Sequence, residues 1–206
     1  YLGFKGGTAA MIFYNLSRFS VDLDFDILDN NKEEYVFLKI NNILLNYGSV
    51  KPQNKRYSLF FLLSYKDKLS NVQNIKIEIN KRGFGSRYEV KHYLGIAMQV
   101  MIKEDMFANK LVAMHERIGK TNRDIFDVWF FFNNNWDINP KIIENRTQMN
   151  FSDFLKKCID DLEHFNNRNI LSGVGELINE KQKAWVKSKL ISETIFLIKL
   201  RLSNIS

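Results

Sequence analysis

Apolar and polar side chains alternate with the period of a strand in two short stretches, and helical spacing takes over in the second half of the chain. Residues 20–28 put Val21, Leu23, Phe25 and Ile27 on one side and Ser20, Asp22, Asp24 and Asp26 on the other. Period two over this length predicts a half-buried strand. Residues 74–82 repeat the pattern, with Ile75, Ile77 and Ile79 opposed to Lys76, Glu78 and Asn80. Residues 56–65, RYSLFFLLSY, form a β-prone apolar run too short for a helix, which predicts a buried strand. A short strand at Phe4 leads into Gly6 and Gly7, and Thr8 stands where a helix would start. In that helix Ile12, Leu16 and Phe19 recur at i, i+4 and i+7, an apolar face to lay on a sheet.

Residues 31–46 predict a second helix that stops before Gly48, and Pro52 reads as a break. Gly83 and Gly85 form a turn into the strand-like RYEVKHYL. From Ile102 the spacing of Met106, Leu111, Met114 and Ile118 is helical, with Lys110 inside that helix. Thr121, Asn122, Arg123 and Asp124 open a further helix, IFDVWFFF, in which Asp124 and Asp127 share a face. Trp129 to Phe132 read as core, and Pro140 as another break. Residues 151–165 predict a helix, and residues 178–203 one long or two shorter amphipathic helices. The expected architecture is α+β, a small mixed-sheet core over residues 1–100 followed by a helical domain over residues 101–206.

Composition narrows the class. A chain of 206 residues, 45% hydrophobic and 14% aromatic, can bury a core and is not disordered. The single cysteine, Cys158, allows no intrachain disulfide and points to a reducing compartment, the cytoplasm. No apolar run approaches the ~20 residues of a membrane span. The chain begins at Tyr1, without methionine and almost on a strand, so a preceding segment is expected in the natural protein. His92, His115 and His164 lack metal-ligand spacing. Charge is uneven: residues 51–91 hold 10 Lys/Arg against 3 Asp/Glu, as large an excess as the whole chain's +7. A basic segment beside an acidic site suggests a polyanion such as RNA, although a solvated lysine-rich surface has the same composition. The expected phosphate contacts are Lys51, Lys55, Arg56, Lys81, Arg82, Arg87 and Lys91.

The chemistry concentrates between Phe4 and Asp26. Glycines at a strand end let the backbone approach a ligand, and the helix after them aims its free N–H groups and positive dipole end at a phosphate. On one strand face, Asp22 and Asp24 would stand about 6–7 Å apart. Carboxylates so placed repel unless a cation lies between them, and a hard divalent ion such as Mg²⁺ takes such oxygens. Such a pair can hold two ions for in-line phosphoryl transfer. Glu78 is the natural third carboxylate if its strand lies beside that of Asp22; its other reading is a surface glutamate paired with Lys76 or Lys81.

Gly6-Gly7-Thr8 followed by Ser20-Val21-Asp22-Leu23-Asp24 resembles the signature of polymerase-β-like nucleotidyltransferases, most closely the AbiE-type toxin branch. Asn109-Lys110-Leu111, then Arg123-Asp124 and Asp127, resembles that branch's lysine helix followed by R-D-x-x-D, and Lys76-Ile77-Glu78 a similar K-I-E segment. The resemblance covers residues 4–129. It implies a nucleotidyltransferase core in which Asp22, Asp24 and Glu78 bind Mg²⁺, two ions being expected. Gly6, Gly7, Thr8, Ser20 and Lys110 would hold the nucleoside triphosphate, and Asp124 and Asp127 would complete the active site. It further implies the toxin of a toxin–antitoxin pair, with a tRNA 3′ end as leading acceptor and a separate antitoxin protein. Two other classes remain open on the residues alone: a metal-dependent nuclease, and a noncatalytic RNA-binding module on the same fold.

Overall fold

In the computed structural model, residues 1–65 and 74–205 are described. Part of the basic segment, residues 66–73, lies outside them. The chain divides into two compact units, the first comprising Tyr1–Asn15, Ser20–Gly83 and Arg87–Met101, the second Leu16–Phe19, Phe84–Ser86 and Ile102–Ser206.

The first unit is a seven-stranded mixed sheet. Its strands are β1 (Leu2–Lys5), β2 (Leu23–Ile27), β3 (Gly48–Asn54), β4 (Ser58–Tyr65), β5 (Ile75–Asn80), β6 (Tyr88–Tyr93) and β7 (Ile96–Met101), in the order β3-β4-β5-β2-β1-β7-β6. Two pairings are parallel, β2 with β5 and β1 with β7; the others are antiparallel. Alternation sorts the side chains. Leu59, Phe61, Leu63, Ile77 and Ile79 turn to one face and close a core with Val36 of α2 (Glu33–Leu45), where Phe37 meets Phe61 at 5.2 Å. The same face receives α1 (Gly6–Tyr14) through Phe13, whose ring is 6.3 Å from Phe4. The opposite face carries the polar set of β2 and β5.

The sheet departs from the sequence expectation in four places. Residues 20–22 are not strand, because β1 gives way to α1 at Gly6 and leaves β2 no antiparallel partner beyond Asp24. The helix ends earlier than expected, at Asn15 in the left-handed region (φ 57), so Leu16 and Phe19 lie beyond it and Phe19 is 58% exposed. Pro52 does not break the chain; it lies in β3, an edge strand, where a missing N–H costs no ladder bond on the open side. Strand β7 was not anticipated. It pairs with β6 through a turn at Leu94 and Gly95, both at positive φ.

The second unit is helical: α3 (Lys103–Arg117), α4 (Arg123–Asn133), α5 (Pro140–Thr147), α6 (Phe151–Glu163) and α7 (Glu180–Ser203). Phe107 of α3 packs edge-on against Phe131 and Phe132 of α4, at 5.4 and 4.6 Å. Trp129 meets Trp185 of α7 at 4.1 Å, and Phe130 to Phe132 are buried as expected of core. Pro140, read as a break, begins α5 at a position where the absent N–H has no helical partner to lose. The final helix is single and starts with a capping box between Asn179 and Gln182. No helix among the described residues is long and apolar enough to cross a membrane.

Candidate functional site

In the first unit, β1 runs directly into α1, and Gly6 is both the first residue of the helix and at φ +78°. The aspartate strand lies hard against it: a Cβ on Gly6 would meet Asp24 Oδ2 at 2.5 Å. Only a glycine leaves room for that carboxylate at the helix start. The Thr8 hydroxyl donates to the carbonyl oxygen of Asp22 and is hydrogen-bonded to the Ser20 hydroxyl across 3.0 Å. The first turn of α1 is thereby tied to the segment that leads into β2. Gly6, Gly7, Thr8, Ser20, Asp22 and Asp24 thus lie around the start of α1, with Ser20 and Asp22 ahead of β2 and not on the strand face expected for them.

Parallel pairing of β2 with β5 sets Asp24 opposite Glu78. Glu78 therefore stands on the face of Asp24, one strand over. Its carboxylate is engaged by Lys76, whose ammonium lies 3.2 Å from Glu78 Oε2 and 4.0 Å from Asp22 Oδ2. Burial opposes the charge of Glu78, but the Lys76 ammonium and hydrogen bonds from Lys76 and Ser58 outweigh it and hold the carboxyl below its usual range. Among the described residues no group of three or more His, Cys, Asp or Glu side chains is arranged to hold a metal ion. The oxygens whose chemistry suits a hard divalent cation are those of Asp24, packed against Gly6, and of Asp22, two residues before it with Lys76 4.0 Å away.

Asp26, the third carboxylate of the alternation, is closed off by donors: Lys5 Nζ at 2.5 Å, Asn80 Nδ2 at 2.8 Å, and the Tyr88 hydroxyl. Tyr88 reaches it by crossing Gly3, where a Cβ would lie 2.2 Å from the ring. Asp26 anchors the strand that carries Asp24. Sequence reading passed over this cluster, since its members are scattered from position 5 to position 88; the mark it leaves is Gly3 inside a strand.

In the second unit, Lys110 of α3 and Asp124 and Asp127 of α4 form one buried cluster. Lys110 Nζ is 2.8 Å from Asp124 Oδ1 and 2.7 Å from Asp127 Oδ2. Arg18 grips Asp127 with both arms of its guanidinium, Nε at 2.5 Å and Nη2 at 2.7 Å. Arg117 Nη2 lies 2.9 Å from Asp124 Oδ2, near enough for attraction but not angled for a hydrogen bond. Burial penalises the charge on Asp127, yet Arg18 and Lys110 outweigh it and keep its carboxyl well below the usual range. Arg18 was not singled out from sequence. It belongs to Leu16–Phe19, four residues of the chain's first part that fold with the helical unit. There the Phe19 amide donates to the Leu177 carbonyl at 2.8 Å.

The basic segment separates by face. Lys51 pairs in register with Leu62, and Leu62 with Lys76, on the carboxylate side of the sheet. Lys55 lies over the Phe60 ring at 4.2 Å, and Arg56 and Arg82 over the Tyr57 ring at 5.0 and 5.3 Å. Lys81 turns to the helix side and binds Glu33 of α2 at 2.7 Å. Lys91 pairs with Glu89 at 3.0 Å and lies over Tyr14 of α1. Arg87 is exposed ahead of β6.

No curated protein sequence matches the chain significantly. Solved structures do match its fold. An H. pylori protein assigned as a nucleotidyltransferase superposes with a TM-score of 0.61 at 21% identity, over 100% of this chain and 89% of that one. JHP933 from Helicobacter pylori gives 0.54 at 19% identity, over 99% and 88%. MenT4, a nucleotidyltransferase toxin from Mycobacterium tuberculosis, gives 0.57 at 17% identity, over 95% and 75%. The family profile described as "Nucleotidyl transferase AbiEii toxin, Type IV TA system" matches residues 1–152, which include every candidate site residue named above. The chain is therefore a nucleotidyltransferase and belongs to the AbiEii toxin family of type IV toxin–antitoxin systems.

Proposed function

We propose that this chain moves a nucleotidyl group from a nucleoside triphosphate to a hydroxyl of an RNA acceptor, with a tRNA 3′ end as the leading acceptor and Mg²⁺ held by Asp22 and Asp24. The observation that carries this reading is the packing of Asp24 against Gly6, which brings a carboxylate to the N–H groups that open α1. Phosphate oxygens suit those N–H groups and the positive end of the helix. Bound there, Mg²⁺ would supply charge neutralisation along the line of displacement.

Each side chain then has a task. Thr8 and Ser20 hold the segment before β2 against α1, with the Thr8 hydroxyl hydrogen committed to the Asp22 carbonyl, and so shape the turn whose N–H groups receive the phosphates. Lys110 is the cation assigned to the triphosphate, on the family pattern of a lysine helix followed by R-D-x-x-D; Asp124 and Asp127 hold its ammonium in place. The acceptor oxygen forms a bond to the α-phosphorus, the α–β anhydride bond breaks, and pyrophosphate leaves. The proton from the acceptor goes to a carboxylate. Glu78 suits that task better than Asp124, since it lies beside Asp24 in register, whereas Asp124 is fully buried under Lys110 and Arg117. Family membership implies a separate antitoxin as partner.

Incubation with Mg²⁺, an RNA pool and each α-labelled triphosphate in turn tests the reading. RNA lengthened and labelled at its 3′ end, with pyrophosphate released, is the expected result. Shortened RNA without any need for triphosphate would replace it with a nuclease.

A further inference from the structure

The carboxylate face of the sheet has an apolar strip that its polar function does not call for. On β4, Leu59, Phe61 and Leu63 are buried in the core, and the alternate positions Phe60 and Leu62 stand partly exposed on the other face. Phe60 is in register with Glu78, and Glu78 with Asp24. Two strand spacings of ~4.8 Å thus put the Phe60 backbone about 10 Å from that of Asp24. In the turn that leads from β3 into β4, Tyr57 is 49% exposed.

Cations accompany both rings. Lys55 covers Phe60 at 4.2 Å, and Arg56 and Arg82 flank Tyr57. Arg82 donates to Asn80 Oδ1 at 3.2 Å, and Asn80 donates to Asp26 on β2. The strip is therefore linked through side chains to the catalytic strand. Aromatic faces interleaved with cations, on a protein's open surface, match the two recurring parts of a single-stranded nucleic acid, base and phosphate.

We propose that Tyr57 and Phe60, with Lys55, Arg56 and Arg82, form the platform on which the unpaired 3′-terminal nucleotides of the RNA acceptor stack. The proposal rests on the RNA acceptor inferred above and adds where and in what form that RNA binds. Bases lie on the two rings, phosphates meet the three cations, and the terminal hydroxyl reaches the Asp24–Glu78 pair. A span of about 10 Å corresponds to roughly three stacked nucleotides at ~3.4 Å each. The platform therefore reads a single-stranded tail and has no use for a blunt duplex end.

The test measures binding of the full chain to a fluorescent RNA hairpin with a four-nucleotide 3′ tail and to the same hairpin with a blunt end. Tailed RNA should bind more tightly. Phe60→Leu and Tyr57→Leu keep apolar bulk but remove the ring, and each should weaken tailed-RNA binding ~5- to 100-fold. Phe60→Trp and Tyr57→Trp should retain it, with triphosphate affinity unchanged in all four. Lys55→Gln and Arg82→Gln should each reduce the salt slope by about 0.7. Equal affinity for blunt and tailed RNA, or leucine variants within twofold of the parent at unchanged melting temperature, would overturn the platform. Labelling of RNA by the parent chain alongside that result leaves the transferase reading standing. Label appearing on a protein acceptor and on no RNA removes both the RNA acceptor and its platform.

Discussion

Gly6 and Asp24 touch so closely that a methyl group on the glycine would lie 2.5 Å from the carboxylate Oδ2 and 2.9 Å from its Cβ. The glycine also holds φ +78°, a conformation that an L side chain rarely adopts. Both constraints act on one residue, and they join the start of α1 to β2.

Gly6→Ala should therefore cost about 1–3 kcal/mol of stability and at least ~100-fold in transfer, as Asp24 is pushed off the helix start. Gly83→Ala is the matching control, since a Cβ there meets nothing within 4 Å and its φ is not positive. Chemical denaturation and a labelled-nucleotide assay on both variants check this. Wild-type activity in Gly6→Ala would separate the glycine from the chemistry.

Asp22→Asn and Asp24→Asn should each reduce transfer by ~1,000-fold or more while melting close to the parent, because removing one of two neighbouring like charges relieves repulsion in the metal-free protein. Chelation should stop the parent enzyme, and excess Mg²⁺ should restore it. Transfer that persists in chelator, or in either asparagine variant at saturating Mg²⁺ and triphosphate, would remove the metal assignment.

Lys110→Gln tests the phosphate cation. Glutamine can still donate to Asp124 and Asp127, which now hold the ammonium at 2.8 and 2.7 Å, so the fold should survive better than with alanine. Triphosphate affinity, measured by calorimetric titration, should fall by about tenfold or more, as expected for a lost charge-assisted bond, with RNA binding nearly intact. A variant that loses RNA binding alone would assign Lys110 to the acceptor instead.

The site was legible where its signal is local. Gly6 to Thr8 and Asp22 to Asp24 lie within one stretch of sequence, and period-two alternation on residues 74–82 put Glu78 on the polar face, which parallel pairing with β2 then set beside Asp24. What escaped depends on partners distant in sequence. Pro52 reads as a break until β3 is known to be an edge. Residues 96–101, IAMQVM, have no clean alternation, and only pairing with β6 and β1 makes them a strand. Asp26 looks like Asp22 and Asp24 in the alternation; Lys5, Asn80 and Tyr88 make it an anchor. Charge counting found the basic segment but could not sort Lys55 and Arg82 from Lys81 and Lys91, because face is a property of register and not of composition.

Arg18 and Asp127 offer the sharpest test of the helical unit. Both side chains are almost wholly buried, and the arginine satisfies both carboxylate oxygens. Removing Arg18 leaves the buried Asp127 carboxylate with Lys110 alone of the two cations that hold it, so Arg18→Met should cost about 3 kcal/mol, the low end for a broken buried pair. The double variant Arg18→Met with Asp127→Leu should recover much of that loss, since an apolar pair leaves no buried charge uncompensated. The pair also has a pH signature. Its native carboxyl titrates well below the ordinary aspartate value of 3.8, so the unfolded chain takes up a proton there before the folded chain does. The stabilisation is thus complete at neutral pH, begins to fall as pH drops through about 4, and goes on falling toward the lower native value. Asp127→Asn has no such proton to take up. The stability gap between parent and Asp127→Asn should therefore stay flat from pH 6 to about 4.5 and then narrow steadily to pH 2.5 in urea titrations, and a gap that stays constant below pH 4 would show that Arg18 and Lys110 do not hold Asp127 ionised.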